Sequence, residues 1–294
     1  MLHTRLIFGA IMIPLLIALL WADQWAEARG AAPGVVMTAG FALVTALAAW
    51  ELASLLRTKG LVTRGPTLAI IAPVGLVCMQ LFGLGVIPEG ERLPLLATLA
   101  GTALLGSLVW HARSRDPAGA LLAGSIAVFT LVYLGVLPGF WLLVRHDHAA
   151  WVVAGAVLVI KSCDIGAYFT GRAIGRRKLI PWLSPGKTWE GLAGGVVTAS
   201  ALATGLAAWG NAAGVFGAGQ DADAAGRVSL VYAAAGGALL AVVGQFGDLV
   251  ASLFKRDAGV KDSGRGVPGF GGVIDVADSV IVAGPAVYWL LHFA

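Results

Sequence analysis

The residues able to do chemistry are gathered in two windows, 161–190 and 244–278, which together hold ten of the twenty lysines and arginines and seven of the sixteen acids. In the first, Lys161, Asp164, Tyr168 and Arg172 follow one another at spacings of three, four and four residues, which keeps them on one helical face. Lys161 and Asp164 either neutralise each other within a bundle or border a water-filled site, the usual meaning of ionisable groups at membrane depth. After them come Gly171, Arg172, Gly175, Arg176, Arg177 and Lys178, and then Ser184-Pro185-Gly186-Lys187-Thr188-Trp189-Glu190 at the start of another helix. Such a Gly/Pro turn carrying Lys, Ser and Thr suits phosphate oxygens, because free backbone N–H groups and the positive end of the helix dipole face the anion. It is not a Walker loop, which needs a glycine where Pro181 stands. Arg176, Arg177 and Lys178 can equally be ordinary flanking charge on the cytoplasmic side.

In the second window Gln245, Asp248, Ser252, Lys255 and Arg256 fall within roughly a 100° arc of a helix. Beyond them stand Lys261 and Asp262, a glycine-rich run from Gly264 to Gly272 broken by Arg265, Val267, Pro268 and Phe270, and then Asp275 and Asp278. Glycines let a backbone approach a ligand closely. Carboxylates to hold Mg²⁺, bases to neutralise a triphosphate and a frame for in-line attack are what nucleotidyl transfer requires. A phosphate monoester, with a second pKa of about 6, attacks already ionised, so a dedicated base is not required. A loop of solvated charges is the plain alternative.

The elements that must position these groups are set by the membrane. Of 294 residues 58% are hydrophobic and only 12% charged, with a mean hydropathy of +0.85, against about a quarter charged in soluble domains. Spanning the hydrocarbon layer takes roughly 20 apolar residues, and nine segments qualify, near 4–22, 33–55, 67–87, 93–111, 118–143, 149–171, 188–210, 228–250 and 273–293. The expected fold is an all-α polytopic bundle, divided into N-terminal helices, 1–148, and a C-terminal catalytic region, 149–294. The first segment, with Arg5 before it and Ala26-Glu27-Ala28 after it, reads as a cleaved signal or a signal anchor; eight further spans favour the anchor.

Lys and Arg accumulate on the cytoplasmic side, and the connecting segments alternate accordingly. Arg5 falls inside; Asp23, Glu27 and Arg29 outside; Arg57, Lys59 and Arg64 inside; Glu89, Glu91 and Arg92 outside; Arg113 and Arg115 inside; Arg145 and Asp147 outside. Arg172 to Lys187 then fall inside, Asp221 and Asp223 outside, and Lys255 to Arg265 inside, leaving the C-terminus outside. Cys78 and Cys163 show neither disulfide nor zinc spacing. Residues around 211–226 read as a loop, no internal repeat is evident, and the mild net charge of +4 gives no sign of nucleic-acid binding.

Ser252, Phe254, Lys255, Arg256, Lys261, Asp262, Gly264, Gly271, Gly272, Val273, Asp275 and Asp278 match, without a gap, the C-terminal signature of the phosphatidate cytidylyltransferases, or CDP-diacylglycerol synthases. Asp164-x2-Ala167-Tyr168-Phe169, Gly171-Arg172, Ser184-Pro185-x-Lys187-Thr188-x-Glu190-Gly191 and Gly247-Asp248-Leu249 also resemble that family, so the likeness is strong over 161–279 and only topological before it. Three positions depart: the signature's His is Phe270, its Arg is Val276, and the Glu that often follows Gly-Asp-Leu-x is Ala251.

The resemblance implies that CTP and phosphatidic acid give CDP-diacylglycerol and pyrophosphate with Mg²⁺, a second cation being open. It implies an integral protein of a bacterial inner membrane, with its site facing the cytoplasm, a homodimer, and membrane lipid as a further partner. Asp248 and Asp275 are the expected Mg²⁺ ligands, with Asp278 and Asp164 as further candidates. Lys255, Arg256 and Lys261 meet CTP or lipid phosphate, and Asp262 orients Lys261. Arg172, Lys187 and Thr188 form the opposite wall, Ser184 and Ser252 donate hydrogen bonds, and Lys161 lines the substrate site. Two other readings remain at this point: a CTP-dependent polyprenol or phytol kinase, which needs a base for a hydroxyl proton, and a non-catalytic paralogue or transporter. The Asp-x2-Asp-Gly-x2-Ala-Arg run of CDP-alcohol phosphotransferases is absent.

Overall fold

The computed structural model describes residues 2–59, 61, 65–213, 228–264, 266–267 and 271–294, the side chains of 2–9 excepted. Arg64, Asp221, Asp223, Arg265, Phe270 and the side chain of Arg5 therefore lie outside the described residues. Among the described residues nine helices are long and apolar enough to cross a membrane: α1 (Leu2–Glu27), α2 (Val35–Thr58), α3 (Gly65–Gly83), α4 (Glu89–Ala112), α5 (Ala120–Asp147), α6 (Ala150–Ile174), α7 (Trp189–Ala213), α8 (Leu230–Asp257) and α9 (Val273–His292). The shortest, α3 with 19 residues, is about 28 Å long at 1.5 Å per residue, enough for the hydrocarbon layer. Each falls where an apolar segment was expected. The protein is an all-α integral membrane protein.

Helices in lipid associate by close packing of small residues, and that decides which of them touch. Gly247 on α8 leaves room for α9: a Cβ there would lie 2.7 Å from the Asp278 carbonyl oxygen. α3 and α5 meet at Gly75 and Gly135, where a Cβ on Gly135 would lie 2.5 Å from the Ala72 carbonyl oxygen. At this crossing α5 widens into a π-helical turn, Leu131–Val136, which holds Tyr133. One buried core joins Leu20, Met37, Leu76 and Trp141 to Ile160, Leu240 and Val287; a second joins Leu52, Leu68 and Leu134 to Ala251, Ile274 and Ile281. Both cores draw on residues before and after position 148.

A short antiparallel hairpin links α6 to α7. Its strands, β1 (Lys178–Ile180) and β2 (Ser184–Thr188), pair Lys178 with Thr188 and Ile180 with Ser184. The expectation here was a turn, without strands. α7 continues to Ala213, so it takes in the first residues of the expected 211–226 loop; Asn211 closes that connection by hydrogen bonds to the N–H and carbonyl of Val228.

At the end of the bundle opposite the two charged windows, Asp23 accepts the N–H groups of Gly34, Val36 and Met37 at 3.1, 2.9 and 3.0 Å. It thereby caps α2, which has no side-chain cap of its own. Arg145 on α5 is fully buried, donates to Asp23 at 2.7 Å and pairs with Glu27. α1, α2 and α5 are tied at one point. Cys78 and Cys163 are both free and buried.

Candidate functional site

The halves of α6, α8 and α9 nearer the hairpin bring together Lys161, Asp164, Gln245, Asp248, Asp278 and Ser279, and the hairpin adds Lys187. Lys187 Nζ lies 2.5 Å from a carboxylate oxygen of Asp248. Lys161 Nζ donates to Ser279 Oγ at 2.6 Å and to the Val276 carbonyl at 3.1 Å. Gln245 Nε2 donates to Asp164 at 3.4 Å. Asp164, Asp248 and Asp278 lie within electrostatic range of one another, and Asp164 and Asp278 within range of Lys161. Three acids against two lysines, at the ends of apolar helices, leave a site whose charge is incompletely balanced by the chain itself. Because Lys161 binds the Val276 carbonyl, the Val276 side chain, one of the three departures, plays no part in that contact.

One to two turns further along the α8–α9 seam lies a second group. Lys255 Nζ sits 2.5 Å from Asp275 Oδ1. The other oxygen of Asp275 accepts the Ser263 N–H at 2.8 Å, the Ser263 hydroxyl at 2.9 Å and the Gly272 N–H at 3.0 Å. Gly271 has φ +105°, and a Cβ on it would lie 2.5 Å from Asp275 Oδ2, so the tight turn into α9 depends on glycine. Glu51, from α2, accepts the N–H groups of Val273 and Ile274 at 2.8 and 3.1 Å.

Several expected contacts are used otherwise. Thr188 is buried, and its hydroxyl accepts the Gly191 N–H at 3.0 Å, capping α7 as Thr does at helix starts. Trp189 N–H donates to the Arg177 carbonyl, and the Glu190 carboxylate accepts the N–H groups of Arg176 and Arg177. Of the backbone donors around this turn, those of Arg176, Arg177, Trp189 and Gly191 are thus taken by the chain. Arg172 donates to the Tyr168 hydroxyl at 2.9 Å on the exposed surface. Arg256 reaches the carbonyls of Leu183 and Val260 at 3.4 and 3.3 Å, tying α8 to the hairpin. Lys261 and Asp262 are both exposed, and no hydrogen bond or ion pair joins them among the described residues, so Asp262 does not orient Lys261 here. Ser184 stands half-buried in β2, Ser252 is buried on α8, and Ala251 is fully buried in the second core. An apolar cavity of about 170 Å³ near Trp151, Trp209 and Tyr232 lies at the opposite ends of α6 to α9 and has no charged lining.

Whether Mg²⁺ suits this donor set depends on which oxygens are free. No cluster of three His, Cys, Asp or Glu poised around a metal occurs among the described residues. Asp275 already accepts four hydrogen bonds, three of them on Oδ2 and that of the Lys255 ammonium on Oδ1. Asp248 has a single lysine partner and is one-third exposed. As hard oxygen donors, Asp248 and its neighbour Asp278 suit the ion; Asp275 would meet it only through Oδ1, beside Lys255.

Glu51, Ser263 and Ser279 were not singled out from the sequence. An acid seven residues before the end of an apolar span is a signal that could have found Glu51; the serines give none. Tyr133 is also new: it is buried, its hydroxyl has no hydrogen-bond partner among the described residues, and it lies within electrostatic range of Asp278.

A helical membrane bundle with lysine-paired carboxylates gathered at one end is the framework on which the comparisons bear. Residues 3–294 match the Cytidylyltransferase family, and the chain belongs to that family. It is 39% identical over 150 residues to the phosphatidate cytidylyltransferase of Haemophilus influenzae, covering 50% of this chain and 49% of that one. It is 38% identical over 162 residues to that of Bacillus subtilis, covering 54% and 55%. With the Pseudomonas aeruginosa enzyme the identity is 32% over 260 residues, covering 85% and 86%. The first two alignments span about half the length of those relatives; the third spans most of it.

Proposed function

We propose that this protein is a phosphatidate cytidylyltransferase. An oxygen of the phosphatidate phosphate attacks the α-phosphorus of CTP, the bond from that phosphorus to the bridging oxygen of the β-phosphate breaks, and CDP-diacylglycerol and pyrophosphate leave. The observation that carries the reading is the pairing of Asp248 with Lys187 beside Asp164, Asp278 and Lys161, within a chain whose full length matches the family.

The nucleophile is a phosphate monoester, ionised near neutrality, so these residues have no hydroxyl proton to remove. Their task is positioning and charge. Lys187 and Lys161 neutralise phosphate oxygens, and Lys255, Arg256 and Lys261 add positive charge along the approach to the α8–α9 seam. Mg²⁺, held by Asp248 and Asp278, supplies further neutralisation of the triphosphate when bound. Asp275 holds Lys255 and the turn into α9. In this reading residues 149–294 carry the chemistry and 1–148 brace it; the basic end faces the cytoplasm of a bacterial inner membrane, and the enzyme is a homodimer.

Purified protein in lipid, given radiolabelled CTP, phosphatidate and Mg²⁺, is expected to form CDP-diacylglycerol and pyrophosphate, and a chelator is expected to stop it. Lipid phosphate with CDP would identify a kinase instead, and CTP binding without any product would point to a non-catalytic role.

A further inference from the structure

We infer that Glu51, on the second transmembrane helix, is a positioning residue for cytidylyl transfer, holding the turn that sets Asp275 and Lys255; this rests on the reading just given. The carboxylate accepts Val273 N–H through Oε1 at 2.8 Å and Ile274 N–H through Oε2 at 3.1 Å. These are two of the donors that a helix start leaves unpaired, so Glu51 caps α9 from a helix more than two hundred residues away in sequence. Its negative charge meets the positive end of the α9 dipole. That helix start is consequently filled by the chain and is no place for a substrate phosphate.

The cap is shared with Asp275. Ser263 Oγ lies 2.9 Å from Asp275 and 3.3 Å from Glu51; a hydroxyl has one proton to give, and the shorter contact takes it. The two carboxylates grip the glycine turn from both sides. A Cβ on Gly272 would lie 2.4 Å from Glu51 Oε2 and 2.1 Å from Ser263 Oγ, and one on Gly264 would lie 2.9 Å from Glu51 Oε1. No side chain larger than hydrogen fits at Gly272 while Glu51 stays in place. The glycines of this turn are thus matched to a carboxylate from α2. One further contact draws the same helix end to α8: Lys59 pairs with Asp257 at 2.6 Å.

The test uses the full-length protein with three variants, Glu51→Gln, Glu51→Asp and Ser263→Ala. It reads kcat and KM for CTP, the unfolding midpoint, and amide hydrogen exchange over residues 262–276. Glutamine keeps the size but turns an N–H₂ group toward a backbone donor. Turnover of Glu51→Gln is expected to fall roughly 10²-fold, as for a small misplacement of reacting groups, mainly in kcat. Exchange over 272–276 should quicken while other helices keep their protection. Glu51→Asp, which keeps the charge on a shorter arm, should recover part of the loss, and Ser263→Ala should lose less. Unchanged turnover in Glu51→Gln overturns the inference, and so does lost turnover with unchanged exchange, or a loss that only tracks the folded fraction. If Glu51→Gln does not fold, the order of kcat among Glu51→Asp, Ser263→Ala and the unmodified protein decides. If the unmodified protein forms no CDP-lipid, the cytidylyltransferase reading fails separately, and exchange over 272–276 alone judges the hold of Glu51.

Discussion

Asp248 and Asp275 resemble each other in sequence but do different work in the structure, and their asparagine variants should separate the two roles. Asp275 is 7% exposed and its partner Lys255 13%. Asparagine has one acceptor oxygen, whereas Asp275 uses both: one toward Lys255, the other toward Ser263 and Gly272. Whichever way the amide turns, its N–H₂ group faces donors and either Lys255 or the turn loses its acceptor. Removing one partner of a buried ion pair costs about 3–5 kcal/mol, and Asp275→Asn is expected to lose an amount of that order. Asp248 is one-third exposed, and Asp164 stays within electrostatic range of Lys187 when the Asp248 charge is removed. Asp248→Asn should therefore stop turnover with little change in stability. The assay is unfolding in mixed micelles at increasing SDS, alongside CDP-lipid formation per folded molecule. Adding Lys255→Met to Asp275→Asn should return part of the stability, because no buried charge is then left unpaired. If Asp275→Asn unfolds like the unmodified protein while both variants lose turnover, Asp275 acts on the substrate or metal and the bracing argument fails.

Three further outcomes follow from the same contacts. Asp23→Ala leaves Arg145 buried with only part of its partner set and uncaps α2, so SDS unfolding should show a loss of about 3–5 kcal/mol, while turnover per folded molecule is retained because the site lies at the other end. Tyr133→Phe removes a buried hydroxyl that has no partner among the described residues, and its unfolding midpoint should equal or exceed that of the unmodified protein. Burial pushes the His148 imidazole below its ordinary value of 6.5, against the opposing pull of Asp147. The folded state then binds fewer protons than the unfolded one, so this contribution is complete above pH 6.5 and lost as the pH falls below it. His148→Gln should flatten that part of the stability profile measured between pH 7 and 5.

What could be read from the sequence follows the range of the forces involved. The nine spans were legible because the bilayer fixes the length of an apolar helix, and no tertiary contact is needed to see it. The family signature marks candidate residues at ungapped spacing from Ser252 to Asp278, with Phe270 and Val276 departing from it. It did not show what each of them touches. Asp275 stands three residues after Gly272 at a helix start, the position of an acid that reaches back to the cap, and Gly272 N–H does bond to it. Thr188 before Trp189 is likewise an N-cap by type and place. Both have a local capping task in the structure. The hairpin could not be read: strands of three and five residues, one containing Pro185 and Gly186, carry no alternating pattern. The Glu51 contacts join residues separated by 212 to 223 positions, and no spacing rule reaches that far.

The two ends of the bundle hold charge in different ways, and the difference accords with which end works. At the end away from the hairpin a fully buried arginine is fixed between two acids, its flat guanidinium donating through separate nitrogens to Asp23, Glu27 and the His148 carbonyl. Such a fork matches its partners in one geometry, which suits a brace. At the end nearer the hairpin the half-buried cations are lysines: Lys161, Lys187 and Lys255, each within hydrogen-bonding distance of oxygen and the last two paired with single carboxylates. A lysine ammonium is a point charge on a flexible stem, and it can leave a carboxylate for a phosphate oxygen without rearranging the backbone. In the proposed reaction the acids Asp248 and Asp275 then hold positive charge in place until substrate arrives. Because Asp275 is itself fixed through a turn that Glu51 caps, that readiness in the same proposal depends on α2.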